Sequence, residues 1–166
     1  MKVFPDRPLL FRVAVALGII AVTAACGSST PGSAGTTPSP AASAASGVAL
    51  EEGPATVMNA QETVLTSPDG FTLYYLTVDT ATAPKCTGAC LANWLPLLTN
   101  GSPSSMVPLS GTLTVAMNAN GDQVAYNGHL LYRFVGDKAK GDAKGEGLQA
   151  FGGLWKVATP SLTAAG

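Results

Sequence analysis

A ten-residue pattern occurs twice in this chain and constrains the fold more than any other feature. Residues 69–79, DGFTLYYLTVD, align with residues 127–137, NGHLLYRFVGD. The shared skeleton is Gly-x-x-Leu-Tyr-x-x-x-x-Asp at an offset of 58, with Tyr74 and Asp79 matched by Tyr132 and Asp137. A tryptophan follows each copy, Trp94 and Trp155, twenty and twenty-three residues after the respective tyrosine. Two imperfect copies predict two similar β units packed about a pseudo-twofold axis, because a lone hairpin is marginal in water.

The segments around the repeats read as short strands and turns. Glu62–Thr66 meets Phe71–Val78 across Ser67-Pro68-Asp69-Gly70, a turn with Pro and Gly in workable places. Thr112–Met117 precedes the turn Asn118-Ala119-Asn120-Gly121. Gln123–Tyr126 and His129–Val135 then flank Asn127-Gly128, the strongest two-residue hairpin signal. Leu154–Ala158 reads as a closing strand, and Thr87–Trp94 offers only a helical turn or two. The expected fold is mainly β: two similar antiparallel repeats, about residues 54–100 and 112–160, in one small domain over 48–166.

Residues 1–25 are not domain material. Lys2, Arg7 and Arg12 precede the uninterrupted apolar run Val13–Val22, and Thr23-Ala24-Ala25 supply small residues for a peptidase. A basic start, a short apolar run and a small-residue end make an export signal; ten apolar residues are too few to span a bilayer. The sequence VTAACGSS around Cys26 resembles the lipobox of bacterial lipoproteins, departing at Thr23, where Leu is commoner. That resemblance implies that Cys26 is the first mature residue and carries two or three acyl chains, enough for stable anchoring. Residues 27–47 contain no charge, no aromatic and no large aliphatic side chain. Such a segment cannot offset its ordering entropy, so 26–47 is expected to be a lipidated cysteine followed by a disordered tether. Its reach is about 25 Å.

Without the signal, six basic and nine acidic residues remain, a formal net charge of −3. The lysines at 138, 140 and 144 alternate with Asp137, Asp142 and Glu146, so no basic patch exists to neutralise phosphates. Nucleic acid is therefore excluded as an expected partner.

The tandem motif resembles the secreted-repeat lipoproteins, a family defined by a Tyr-x-aromatic-x-x-Asp pattern and without an assigned molecular function. Tyr132-Arg133-Phe134-Val135-Gly136-Asp137 fits fully, whereas the first copy carries Leu76 at the aromatic position. In that family the first copy is usually followed by a Cys-x-Gly-x-Cys loop and Trp-Pro-Pro; here the corresponding residues are Cys86 to Cys90 and Trp94-Leu95-Pro96. The resemblance covers roughly 53–159 and implies location and fold rather than chemistry.

Few residues offer chemistry. With Cys26 lipidated, Cys86 and Cys90 remain close together in an oxidising compartment, and the plain reading is a small disulfide ring that shapes a loop. Its unfolded-state gain should be about 2 kcal/mol or less. A redox-active pair is the alternative, but such pairs favour Cys-x-x-Cys at a helix start. Zinc wants four ligands, and only two cysteines and His129 are available. His129, the single histidine, reads as a solvated turn residue, and Gly145-Glu146-Gly147 as an ordinary loop. The repeated Tyr and Asp have a structural reading, a buried ring with its hydroxyl satisfied on the carboxylate of a turn. Their functional reading is convergence of Tyr74, Asp79, Tyr132 and Asp137 near the axis as a polar ligand site, alongside Trp94, Phe134 and Trp155.

These residues point to an extracytoplasmic, lipid-anchored module on the cell membrane that binds an envelope protein or a small ligand, with no catalytic residue and no cofactor expected. An accessory to electron transfer or metal handling is the second reading, and an envelope hydrolase the third.

Overall fold

The computed structural model describes residues 47–166. The export signal, Cys26 and nearly all of the tether lie outside these residues. Within them the regular secondary structure is almost wholly β. The strands are β1 (Ala49–Val57), β2 (Ala60–Thr66), β3 (Leu73–Leu76), β4 (Trp94–Pro96), β5 (Ser104–Ser105) and β6 (Leu113–Asn118). They continue with β7 (Gly121–Tyr126), β8 (His129–Leu130), β9 (Tyr132–Phe134), β10 (Gln149–Ala150) and β11 (Gly153–Val157). One 3-10 turn, Gly88–Ala92, stands where the sequence offers a helical turn.

Three two-residue hairpins share one backbone solution. Asn127-Gly128, Met58-Asn59 and Phe151-Gly152 all have left-handed φ at both positions, 51° and 84°, 46° and 73°, 55° and 85°. That pattern matches the twist of the flanking strands. The first is an Asn-Gly pair, as expected; the other two place a bulky side chain where Gly or Asn is preferred.

The architecture is a central sheet flanked by two hairpins. β10, β11, β3, β9 and β4 lie side by side in that order, while β2-β1-β5 and β6-β7-β8 form two small sheets. The expected pairing of 62–66 with 71–78 is corrected. β2 pairs along its length with β1, and among the described residues its β-pairing with the next segment is the single Thr66↔Thr72 bridge. Likewise His129–Val135 is not one strand: β8 pairs with β7, and one residue later β9 joins the central sheet. The turn after β2 closes as expected, with the Gly70 N–H donating to the Ser67 carbonyl at 2.7 Å.

The Leu-Tyr dipeptide of each motif copy explains the layering. Adjacent strand residues point to opposite faces. Leu73 and Leu131 enter a core with Leu50, Leu65, Leu97, Val124 and Tyr126, whereas Tyr74 and Tyr132 enter the other with Trp94, Trp155, Ala55, Val64 and Ala125. One dipeptide, used twice, thus nails both faces of the central sheet.

Candidate functional site

The antiparallel register of β3 against β9 sets Tyr74 opposite Tyr132 and Leu73 opposite Arg133. Each tyrosine therefore faces its own repeat-mate, which puts the pseudo-twofold axis through this pair. The outer strands obey the same axis. Trp155 of β11 pairs with Leu76 of β3, and Trp94 of β4 pairs with Phe134 of β9, the residue equivalent to Leu76. Each repeat thus lends its tryptophan strand to the tyrosine strand of the other. Backbone bonds outside the sheet repeat the exchange: Val124 N–H donates to Leu97 at 2.8 Å, and Leu65 N–H to Ala158 at 2.7 Å.

Side chains cross in the same sense. The Tyr74 hydroxyl donates to Asp137 Oδ2, and the Tyr132 hydroxyl to Asp79 Oδ2, both at 2.7 Å. The sequence reading put each hydroxyl on a turn carboxylate; the structure shows that the carboxylate belongs to the other repeat. The second oxygen of each carboxylate closes its own loop. Asp79 Oδ1 accepts Lys85 N–H at 2.6 Å, and Asp137 Oδ1 accepts Lys144 N–H at 2.9 Å. Burial first, then donation to an acidic partner, drives both hydroxyls far above their ordinary pKa of 10.0. They remain protonated donors. Burial also raises the Asp137 carboxyl, against the pull of Tyr74 and of Lys144 N–H.

Above the tyrosines the two tryptophans stack, with ring centroids 3.6 Å apart and planes within 3°. Tyr74 meets Trp94 edge-on at 5.4 Å, Tyr132 meets Trp155 edge-on at 5.2 Å, and Phe134 stacks on the far side of Trp94. Such aromatic pairs add about 0.5–1.5 kcal/mol each beyond burial.

The surroundings of the two Tyr–Asp pairs differ. Around Tyr132 and Asp79, Cys86 and Cys90 form the expected disulfide, and both are buried. The 3-10 turn that contains Cys90 ends with Asn93 N–H donating to the Cys90 carbonyl, which delivers Trp94 into the core. Wholly buried Gln123 donates to the Leu131 carbonyl at 2.9 Å, and Asn120 ties Gln123 to the Cys86 carbonyl. Around Tyr74 and Asp137, Gly145 stands where the first repeat has Cys86. A Cβ there would come within 2.7 Å of Trp94 and 2.9 Å of Tyr74, and its N–H donates to the Tyr74 hydroxyl. Glu146, almost wholly buried, accepts Val157 N–H at 2.6 Å and pairs with Lys156 at 3.0 Å. The Gly145-Glu146-Gly147 loop is therefore not ordinary; a Gly-Glu-Gly run gives no sign that its carboxylate turns inward. Asn120, Gln123 and Glu146 were all missed.

The chemistry open to this cluster is narrow. Tyr74, Tyr132, Trp94 and Trp155 are at most 2 % exposed, and Asp79 and Asp137 are 6 % exposed. Two clefts among the described residues lie elsewhere, one bounded by Val48, Pro68 and Leu98 and the other by Glu52, Thr66 and Lys140. Neither is lined by a motif Tyr, Asp or Trp, and the burial of these residues means that their convergence builds an interior rather than an open ligand surface. The buried disulfide likewise lacks the solvent access that a redox pair requires. His129 is not a solvated turn residue: it lies in β8, half-buried 4.4 Å from the Tyr75 ring, and burial lowers its pKa. Among the described residues no cluster of three metal-ligating side chains occurs, and no helix is long and apolar enough to cross a membrane.

No curated protein and no solved structure matches the chain. A lipoprotein family model does, twice, over residues 55–98 and 114–159, one match for each repeat. Its description, a secreted repeat, puts the domain outside the cytoplasm, where a disulfide persists. By its two matches, the chain belongs to the family of secreted repeats of unknown function.

Proposed function

We propose that the mature chain is a lipid-anchored, non-enzymatic interaction module of the cell envelope, held to the membrane through Cys26 and carried on the tether. The inward use of the motif counts against a ligand site built on it, and the observation that supports this reading is the apolar exterior of the domain. Each tyrosine hydroxyl and each carboxylate of the repeat is bonded to the opposite repeat, so the motif acts as the fastening of a scaffold. What the scaffold offers a partner is its exterior, which carries Leu95, Leu98, Met106, Val115 and Met117 exposed in a stretch free of charge from Cys86 to Gly121. Apolar side chains left in water gain free energy when a partner buries them.

Two experiments test the two halves of the reading. Cys26→Ala should move the chain from the membrane fraction to the soluble one; retention in the membrane contradicts anchoring. Crosslinking of the anchored chain in intact cells should join it to a protein of the envelope or to its own kind. A chain recovered only as an uncrosslinked monomer contradicts the interaction role.

A further inference from the structure

We propose that Met58, Met106 and Met117 are oxidation sites, at which a peroxide of the extracytoplasmic space converts the thioether to the sulfoxide while the crossed core stays intact. The proposal goes beyond the interaction-module reading and does not depend on it.

The placement of methionine is the observation behind it. Among the described residues methionine occurs at 58, 106 and 117, and these side chains are 76 %, 73 % and 80 % exposed. Methionine is ordinarily among the most buried residue types, used to fill irregular gaps in a core. Here neither core contains one. Met58 stands at the tip between β1 and β2 with φ 46°, a left-handed position at which Gly or Asn is preferred. Met117 lies in β6 beside the tip of the other flanking hairpin, and Met106 follows β5 on the connection between the repeats. Exposed this far, none of the three side chains gains packing from its length or its sulfur.

The rest of the domain withholds its oxidisable groups. Cys86 and Cys90 are joined and buried, and Trp94 and Trp155 are at most 2 % exposed. The domain lies outside the cytoplasm, beyond the reach of the glutathione and thioredoxin systems. The thioethers are therefore the sulfur that a peroxide reaches first. The sulfur lone pair attacks one peroxide oxygen, an S–O bond forms, and the O–O bond breaks. The departing hydroxide takes the proton of the new S–OH group and leaves as water. Sulfur loses two electrons and the peroxide gains them, so each site consumes one peroxide. The product is polar where the thioether was apolar, a change that disrupts a core but leaves a solvated side chain in place.

The test uses the full chain in intact membranes, with hydrogen peroxide as the oxidant and N-acetylmethionine amide in the same vessel as the rate reference. Peptide mass mapping should find sulfoxide at Met58, Met106 and Met117, each formed within tenfold of the reference rate. The near-ultraviolet dichroism of the stacked tryptophans, read after extraction in detergent, should stay unchanged. The variant Met58→Leu/Met106→Leu/Met117→Leu should take up less than a tenth of that oxygen over residues 47–166 and keep the same dichroism. Cells given sublethal peroxide should yield at least tenfold more sulfoxide at the three positions than untreated cells. A rate at any of the three more than tenfold below the reference overturns the proposal. So do dichroism lost with the added oxygen, more than that tenth taken up by the variant, and less than that enrichment in cells. None of these results bears on crosslinking to a partner, so the interaction-module reading stands or falls separately.

Discussion

The two Tyr–Asp pairs are the same geometry in two different housings. Both hydroxyls reach the opposite repeat's carboxylate at 2.7 Å, and both carboxylates then close their loops on a lysine N–H, that of Lys85 or of Lys144. Around Tyr132–Asp79 the housing is a disulfide and an amide network of Asn120 and Gln123. Around Tyr74–Asp137 it is a glycine packed against two rings and a buried Glu146 paired with Lys156. The difference teaches which part of the repeat is indispensable. The crossed hydrogen bond and the stacked tryptophan recur, while the means of holding the loop is interchangeable. A covalent ring in one copy and an ion pair in the other answer the same need, to bring a turn back over the core.

The largest effect should come from the part the two copies share. Trp94→Ala or Trp155→Ala removes one face of the stack, and each should cost about 3–5 kcal/mol in urea unfolding. A markedly smaller loss at either position would break the equivalence of the two halves. Alkaline pH comes next. Both tyrosines have folded pKa values well above 10.0, so the stability they contribute is complete below pH 10 and is lost as pH rises beyond it. Each adds about 1.4 kcal/mol per pH unit to that fall. Absorbance should show these two phenols ionising only together with unfolding, and early ionisation of one would mark its housing as looser.

Single hydroxyl deletions sharpen the comparison further. Tyr74→Phe and Tyr132→Phe should each cost about 1.5–3 kcal/mol, the range for a hydrogen bond to a charged group. The smallest effect should be loss of the ring: Cys86→Ala with Cys90→Ala should lower stability by about 2 kcal/mol or less. That loss should be confined to the Tyr132–Asp79 half, read as faster amide exchange at Lys85 and Cys86 with Lys144 and Gly145 unchanged.

Much of the fold was legible because its rules are local. Alternation placed β2, β6, β7 and β11, the Asn127-Gly128 pair announced its hairpin, and the repeat announced a twofold axis. β1 was not legible, since Glu51-Glu52-Gly53-Pro54 lacks strand formers; the proline, opposite Thr63, is tolerated because β5 pairs with β1 only at Ala49 and Leu50. Nor were the hairpin tips at Met58 and Phe151, whose left-handed backbone is set by the strands they join rather than by their own preference. The motif residues were all identified, yet their pairing was not. Spacing within a repeat suggests that Tyr132 meets Asp137, whereas sheet register between the repeats decides that it meets Asp79. The inward turn of Glu146 has the same cause, since only its tertiary partner Lys156, ten residues on, distinguishes it from a solvated loop acid.

Crossed pairing is the claim on which the rest depends, and a double-mutant cycle measures it directly. Tyr132→Phe combined with Asp79→Asn should show a coupling of about 1 kcal/mol, the difference between a charge-assisted and a neutral hydrogen bond. Tyr132→Phe combined with Asp137→Asn, the partner within its own repeat, should be additive to within about 0.3–0.5 kcal/mol. Coupling to Asp137 with additivity at Asp79 would mean that each repeat closes on itself, and the exchanged architecture would be wrong.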